Sequence, residues 1–302
     1  MRVAVTGSSG LIGAALRRSL EADGHDVVRV VRAGGRPVDG PTIEWDLGAG
    51  TIDEAALEGL DAVVHLAGEP IGAKRLDDAQ KARIRESRVV GTGLLAGAFA
   101  AMTQPPGVLV SASGVNYYGD RGAEVLTEAS GPGPGSFLTD VCLAWEGATE
   151  PAAAAGVRTC VVRTGIVLDR HEGALAKMLP LFKLGLGGRF GDGGTWMPWI
   201  HLADEVGAIR FLLAHDDLSG AFNFTAPAPV TNAEFTKVLG KVLGRPTLLP
   251  VPKFGPKLLV GAELADELLF TSMRVEPAAL LAAGFAFRYS DLESALRAVL
   301  GR

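Results

Sequence analysis

The most specific chemistry in the chain lies in its first thirteen residues. Thr6-Gly7-Ser8-Ser9-Gly10-Leu11-Ile12-Gly13 follows the compact apolar run Val3-Ala4-Val5 and opens onto a helical stretch through Leu16 and Leu20. Gly7 permits a tight turn, Gly10 lets the backbone approach a pyrophosphate, and Gly13 lets the helix pack closely on a sheet. The helix start adds free N–H groups and a partial positive charge. Thr6, Gly7, Ser9, Gly10, Leu11, Ile12 and Gly13 are therefore expected to hold a dinucleotide. A glycine triplet alone is weak; the strand before it and the helix after it give it weight. The tip of the second strand selects the cofactor, an acid favouring NAD and an arginine a 2′-phosphate. DVVRVVR ends in Arg32, with Arg29 and Arg36 nearby, and the first acid afterwards is Asp39. NADP is expected over NAD. Asp46-Leu47, ending strand three, stands where an adenine ring would lie, or is a plain surface turn. Leu66-Ala67-Gly68, ending strand four, has the small residues needed beside bridging phosphates, or for close packing of a buried strand end.

These residues need elements to position them. The pattern predicts strands at 3–5, 26–31, 42–47, 62–68, 107–113 and 157–168, with a long helix from about Asp77 to Ala101 and another over 137–155. Strand and helix alternate six times in the first 170 residues, which predicts a doubly wound parallel sheet, covered on both faces. Past residue 170 the rhythm breaks. GLGGRFGDGGTWMPW (185–199) is a loop too apolar for a linker, in which Trp196, Met197 and Trp199 either flank a flat or sugar-like ligand or form interface core. The expected organisation is a dinucleotide-binding domain over 1–168, with 200–226 returning to it. Segments 169–199 and 227–302 then form a smaller, mainly helical substrate domain.

Composition narrows the class. The chain of 302 residues is 48% apolar and 21% charged with a net charge of −5, so no basic field is expected to hold nucleic acid or an anionic membrane, and neither is expected as a partner. Two isolated cysteines, Cys142 and Cys160, make neither a disulfide framework nor a metal site, and reduced buried thiols are expected. The longest apolar run, GTGLLAGAFAAM at 91–102, is shorter than a membrane span. No signal-peptide pattern precedes the first strand, so a cytoplasmic location is expected.

Six segments occur in a telling order: TGSSGLIG, HLAG (65–68), SRVVGTGLL (87–95), SASGVNYYG (111–119), VRTGIVL (162–168) and WIHLADEVGAI (199–209). Together they resemble the extended short-chain dehydrogenase/reductase superfamily, of the sugar-nucleotide epimerase/dehydratase kind. The chain is more similar still to the atypical "epimerase family" branch, through Gly68-Glu69-Pro70-Ile71, Ser111 to Gly119, and Gly284-Phe285-Ala286-Phe287-Arg288-Tyr289. The resemblance implies a Rossmann domain with a C-terminal cap, NADP as cofactor, and contacts from the glycine loop, Arg32, Asp46, Leu47, Glu69 and Arg75. Homodimers are common in the superfamily, which makes one the assembly expected by analogy.

The resemblance also exposes a gap. The superfamily carries a Tyr-x-x-x-Lys pair one helix after strand five, where lysine lowers the tyrosine pKa for proton exchange near neutrality. Here that place reads SFLTDVCLAWE (136–146), and no register restores the pair. Aligned on Glu146, the tyrosine position is Leu138 and the lysine position Cys142. Ser113, with Ser111 in reserve, matches the hydroxyl that polarises a substrate carbonyl, or is a strand-end serine bonding local backbone. Tyr118 matches the tyrosine of the YG turn; it and Tyr117 are expected first as walls of the substrate pocket and second as proton donors. His201 matches a structural pin. The expected activity is hydride transfer on a hydroxyl- or carbonyl-bearing metabolite without the usual pair, against the alternative of a catalytically silent NADP sensor. A cell-division role rests only on a label carried by some relatives.

Overall fold

The computed structural model describes all 302 residues. The first half alternates strand and helix: β1 (Arg2–Thr6), α1 (Leu11–Ala22), β2 (Asp26–Arg32), β3 (Thr42–Asp46), β4 (Thr51–Ile52), α2 (Glu54–Leu57), β5 (Ala62–His65), α3 (Asp78–Ala101) and β6 (Val108–Gly114). There follow β7 (Val125–Leu126), α4 (Phe137–Gly147), α5 (Glu150–Ala154), β8 (Arg158–Thr164) and β9 (Ile166–Leu168). Side-chain caps fix the long helices where the sequence has Asp or Ser: Asp77 accepts from the Gln80 amide at α3, and Ser136 from Thr139 at α4.

Eight strands form one sheet in the order β12-β8-β6-β5-β1-β2-β3-β4, where β12 is Gly220–Phe224. All pairs are parallel except β3–β4, a short antiparallel hairpin that closes one edge. Both faces are covered, as the near-continuous apolar strands require. Val3, Val5, Val64, Val110 and Val162 pack under α1 and under α7 (Leu202–Ala214), while Ala4, Val63, Leu109 and Val30 face α3 and α5.

Two expected elements are each split. The strand expected over 157–168 breaks at Gly165, where a Cβ would lie 2.7 Å from the Pro198 carbonyl oxygen. Its second half leaves the sheet as β9 and pairs in parallel with β11 (Trp199–His201). The helix expected over 137–155 divides into α4 and α5 around Ala148–Thr149, with Pro151 in the first turn of α5.

The C-terminal part holds α6 (Gly173–Lys183), a small ladder of β10 (Trp196–Met197) with β13 (Val230–Thr231), then α8 (Asn232–Leu243) and α9 (Phe254–Val260). Its core joins Leu175, Leu179 and Phe182 to Phe235, Leu239 and Leu296. It is stitched to the first half by the Arg274–Val275 strand, which pairs with β7 in a separate two-stranded ladder, and by Glu267, whose carboxylate accepts from Ser136 Oγ and the Leu138 amide at the head of α4.

Candidate functional site

The glycine loop leaves β1 at the C-terminal edge of the sheet, beside the end of β5. Gly7 has φ +63° and lies so close to β5 that a Cβ would be 2.9 Å from the Leu66 and Ala67 backbone. A Cβ on Gly13 would sit 2.2 Å from the Gly7 carbonyl oxygen, so no side chain fits there. Gly10 caps α1 with no side-chain hydrogen bond, and the first turn holds no acid. Amides that nothing in the protein caps, beside a cradle without side chains, suit a pyrophosphate.

Thr6 locks the floor of this crevice. Its Oγ1 accepts from both the Leu66 and Ala67 amides at 3.0 Å, so its own proton points to His65 Nδ1 at 2.8 Å. That assigns the His65 proton to Nε2. Burial, helped by the nearby Arg88 charge, pushes the His65 pKa down to about 3, so the ring stays neutral and structural.

Arg32 ends β2 exposed and without a carboxylate partner, where a 2′-phosphate could reach it. Arg29, three residues earlier, points to the other face and donates from Nε to Ser8 Oγ at 3.1 Å, tying the strand to the glycine loop. Asp46 is engaged locally: its Oδ1 accepts from Gly48 and Ala49 amides at 2.9 and 3.1 Å, while Leu47 packs on the core. The turn engages Oδ1 and leaves Oδ2 without a partner, so both readings of Asp46 stand. Ser9 is exposed beside the crevice. Glu69 accepts weakly from Gln80 Nε2 at 3.3 Å, and Arg75 donates to the Leu258 carbonyl at 3.0 Å, bridging to the C-terminal part.

At the other end of the crevice, α3, α4, β5 and β6 converge on an arginine. Arg88 is 8% exposed, and a Cβ on Gly68 would come 3.1 Å from its guanidinium carbon. Its Nη1 donates to the carbonyls of Glu69 and Ile84, and its guanidinium lies over the Trp145 ring at 5.0 Å. No carboxylate pairs with it, and burial pulls its pKa below the ordinary value. Cys142 lies beside it, with Sγ 3.6 Å from where a Gly114 Cβ would be. Burial, and then the Glu146 charge, push the thiol up to about 12, so Cys142 is a packing residue and not a nucleophile.

Ser113 opens a buried polar chain across the sheet. It donates to Glu146 Oε1 at 2.7 Å; Arg163 grips Glu146 from Nε and Nη2 at 2.9 and 2.8 Å; and Arg163 Nη1 donates to Tyr118 Oη at 2.9 Å. Tyr118 in turn donates to Asn223 Oδ1 at 2.7 Å. The strands bring these together, because Ser113 pairs with Arg163 on β8 and Arg163 with Asn223 on β12.

Three expectations change here. Tyr118 is wholly buried, its hydroxyl is engaged on both sides, and burial raises its pKa, so it is neither a pocket wall nor a free donor. Trp199 is 1% exposed, in core, with Nε1 bonded to the Ala228 carbonyl; it does not line a pocket. The Ser113 proton is directed at a carboxylate, so in this state the hydroxyl is not aimed at a substrate carbonyl. Tyr117 remains half-buried, its ring stacked 3.5 Å from the Arg163 guanidinium, with no partner on its hydroxyl. Trp196 is half-buried under Arg274, and His201 caps α7 through Nδ1 while stacking on Tyr289, a structural pin as expected.

Arg88, Glu146 and Arg163 were not singled out from the sequence as a site. The legible signal was a charge inside an apolar frame: Arg163 interrupts VRTCVVRTGIVL, and a mid-strand arginine demands a partner.

The matches with known proteins cover the chain from end to end. Residues 3–224 match the model of the NAD-dependent epimerase/dehydratase family, and residues 251–299 match a domain of unknown function. An epimerase family protein of Mycobacterium leprae is 43% identical over 294 residues, covering 97% of this chain and 94% of the relative. The human epimerase family protein crystallised with NADPH superposes with a TM-score of 0.89 at 36% identity, all of both chains being covered. A nucleoside-diphosphate sugar epimerase from Corynebacterium glutamicum superposes at 0.80 with 40% identity, covering this whole chain and 58% of the other. By its fold, its glycine crevice and these matches, the chain belongs to the NAD-dependent epimerase/dehydratase family.

Proposed function

We propose that the protein binds NADPH and carries out reversible hydride transfer with a small hydroxyl- or carbonyl-bearing metabolite, by a variant of the epimerase/dehydratase chemistry that lacks the Tyr/Lys pair. The crevice carries this reading: a cradle that admits no Cβ at Gly7 or Gly13, uncapped amides at the head of α1, and an unpaired Arg32 beside them. NADPH, when bound, supplies the hydride.

The chain's own residues hold and orient. Leu11, Ile12 and the glycines offer amides to the pyrophosphate, and Arg32, with Arg29 behind it, meets the 2′-phosphate. Arg88 is the fixed cation at the nicotinamide end, reaching from α3 the place the superfamily fills with a lysine from α4. A buried guanidinium without a carboxylate is a charge awaiting an anionic or hydroxyl-bearing ligand. Ser113, oriented by Glu146, presents its oxygen as a hydrogen-bond acceptor to a substrate hydroxyl. Proton exchange falls to Tyr117, the tyrosine of the pair whose hydroxyl is free.

Purified protein titrated with NADPH and NADH by nicotinamide fluorescence, then screened against carbonyl metabolites at the nicotinamide absorbance band, tests this. NADPH should bind more tightly than NADH, and Tyr117→Phe should lower turnover about 100-fold without changing NADPH affinity. Tighter NADH binding would overturn the role of Arg32. Binding without oxidation across a broad panel would replace the enzyme with a cofactor sensor.

A further inference from the structure

The eight most exposed large apolar side chains of the molecule all fall in two short stretches. Leu181, Leu184 and Leu186 follow one another at the end of α6, and Leu248, Leu249, Phe254, Leu258 and Leu259 lie in and before α9, with exposures from 52% to 84%. The stretches are neighbours. Val251 N donates to the Arg189 carbonyl at 2.8 Å, Gly191 N to the Val251 carbonyl at 3.1 Å, and Gly188 lies so close to Leu249 that a Cβ would clash with its carbonyl. In α9 only Pro256 is buried, so the helix turns Phe254, Leu258 and Leu259 outward instead of into a core. A soluble surface does not gather large apolar side chains this way without a use for them.

The charge on the same stretches is one-sided. Residues 173–191 and 241–261 carry Lys177, Lys183, Arg189, Lys241, Arg245, Lys253 and Lys257 and not one aspartate or glutamate, giving +7 in a chain whose net charge is −5. Lys241 and Lys257 hold exposed ion pairs with Glu293 and Asp266; the other five have no carboxylate within reach. The whole-chain charge averages this face away.

We infer that the face formed by the end of α6, the 246–253 loop and α9 docks on an anionic lipid surface, its leucines and Phe254 entering the headgroup boundary and its lysines and arginines meeting the lipid phosphates. Apolar side chains accompanied by five bases without a carboxylate partner form the pattern of interfacial binding. A second copy of the chain is a poorer occupant, because a two-fold contact would set five unpaired bases against five. Lys177 bonds the Gly72 carbonyl and Arg75 the Leu258 carbonyl, so this face borders the segment leaving β5 at the mouth of the crevice. The inference does not depend on which reaction the crevice performs.

Co-sedimentation of the full chain with vesicles tests it, comparing phosphatidylcholine alone with phosphatidylcholine containing phosphatidylglycerol, at low and high salt. Binding is expected to the anionic vesicles only, to weaken with salt, and to fall about tenfold or more in each of two exposed double variants, Leu258→Asp/Leu259→Asp and Lys183→Glu/Lys253→Glu. Unchanged NADPH affinity in both variants shows that they are folded. No binding to anionic vesicles at low salt, equal binding to neutral ones, or binding that survives both variants overturns the inference. Concentration-dependent self-association abolished by Leu258→Asp/Leu259→Asp, without vesicle binding, also overturns it and gives the face to a second copy.

Discussion

Arg88→Met separates a cofactor contact from a structural clamp. The methionine keeps an unbranched apolar stem against Trp145 but removes the guanidinium that faces Gly68. A charge-assisted hydrogen bond to ribose or phosphate is worth about 1.5–3 kcal/mol, which is about 10- to 150-fold in affinity. NADPH should therefore bind more weakly by a factor in that range. The fragment 2′,5′-ADP reaches only the Arg32 end, so its affinity should stay within about twofold of wild type, the size of a few tenths of a kcal/mol. Stability sorts the same way. Two carbonyls, on Glu69 and Ile84, lose a donor, but a buried cation with no carboxylate is also removed. These oppose each other at about 1–3 kcal/mol each, so the melting temperature of the cofactor-free protein should shift by only a few degrees. Isothermal titration with both ligands and a thermal melt suffice. Equal losses for NADPH and 2′,5′-ADP, together with a large drop in melting temperature, would make Arg88 a clamp on the 69–70 backbone and refute its place at the nicotinamide end.

Three further outcomes follow from the same geometry. Gly13→Ala places a methyl 2.2 Å from the Gly7 oxygen, so the loop must move; NADPH titration should show binding lost, with about 3 kcal/mol of stability lost in denaturant melts. Glu146→Gln leaves Arg163 buried without its carboxylate, their side chains being 15% and 6% exposed, and chemical unfolding should report a loss of about 3–5 kcal/mol. Stability should peak near pH 6.5. Glu205, wholly buried, is raised by desolvation to about 8 when folded, so the folded state holds an extra proton above the unfolded carboxyl pKa and stability falls as pH rises toward 8. Burial lowers His65 to about 3 and His201 to about 4, so stability also falls as pH drops below their unfolded value near 6.5. Melts from pH 5 to 8.5 on wild type and Glu205→Gln check both limbs; an alkaline fall that survives in the variant would acquit Glu205.

The sheet was legible because parallel strands buried on both faces must be apolar throughout, and turns between them must be glycine or polar. Every strand expected in the first 170 residues is present, and 221–226 does return, as β12. What the pattern missed was local. VRTCVVRTGIVL reads as one strand by composition, yet Gly165 lets Pro198 approach where a side chain would stand, and the chain leaves the sheet there. The 51–52 hairpin strand is too short to show a period at all.

The site divides along a physical line. Its phosphate half is made by backbone, and backbone demands are written in glycines at fixed spacing, so the crevice could be found by reading. The polar cluster beyond it is made by side chains that meet across the sheet from positions 113, 118, 146, 163 and 223, with Arg88 apart against Gly68 and Trp145, and nothing in linear order says that they touch. Reading by resemblance placed Tyr118 in the cleft because a YG turn lies there in relatives. The structure instead uses Tyr118 to satisfy Arg163, because a guanidinium buried at mid-strand needs both a carboxylate and a further acceptor. Glu146 lies on α4 four residues past the vacated lysine position, and it turns the strand-end serine and one tyrosine toward holding the sheet together. That leaves Tyr117 with an unbonded hydroxyl and Arg88 without a carboxylate, and these are the two groups on which the proposed turnover rests.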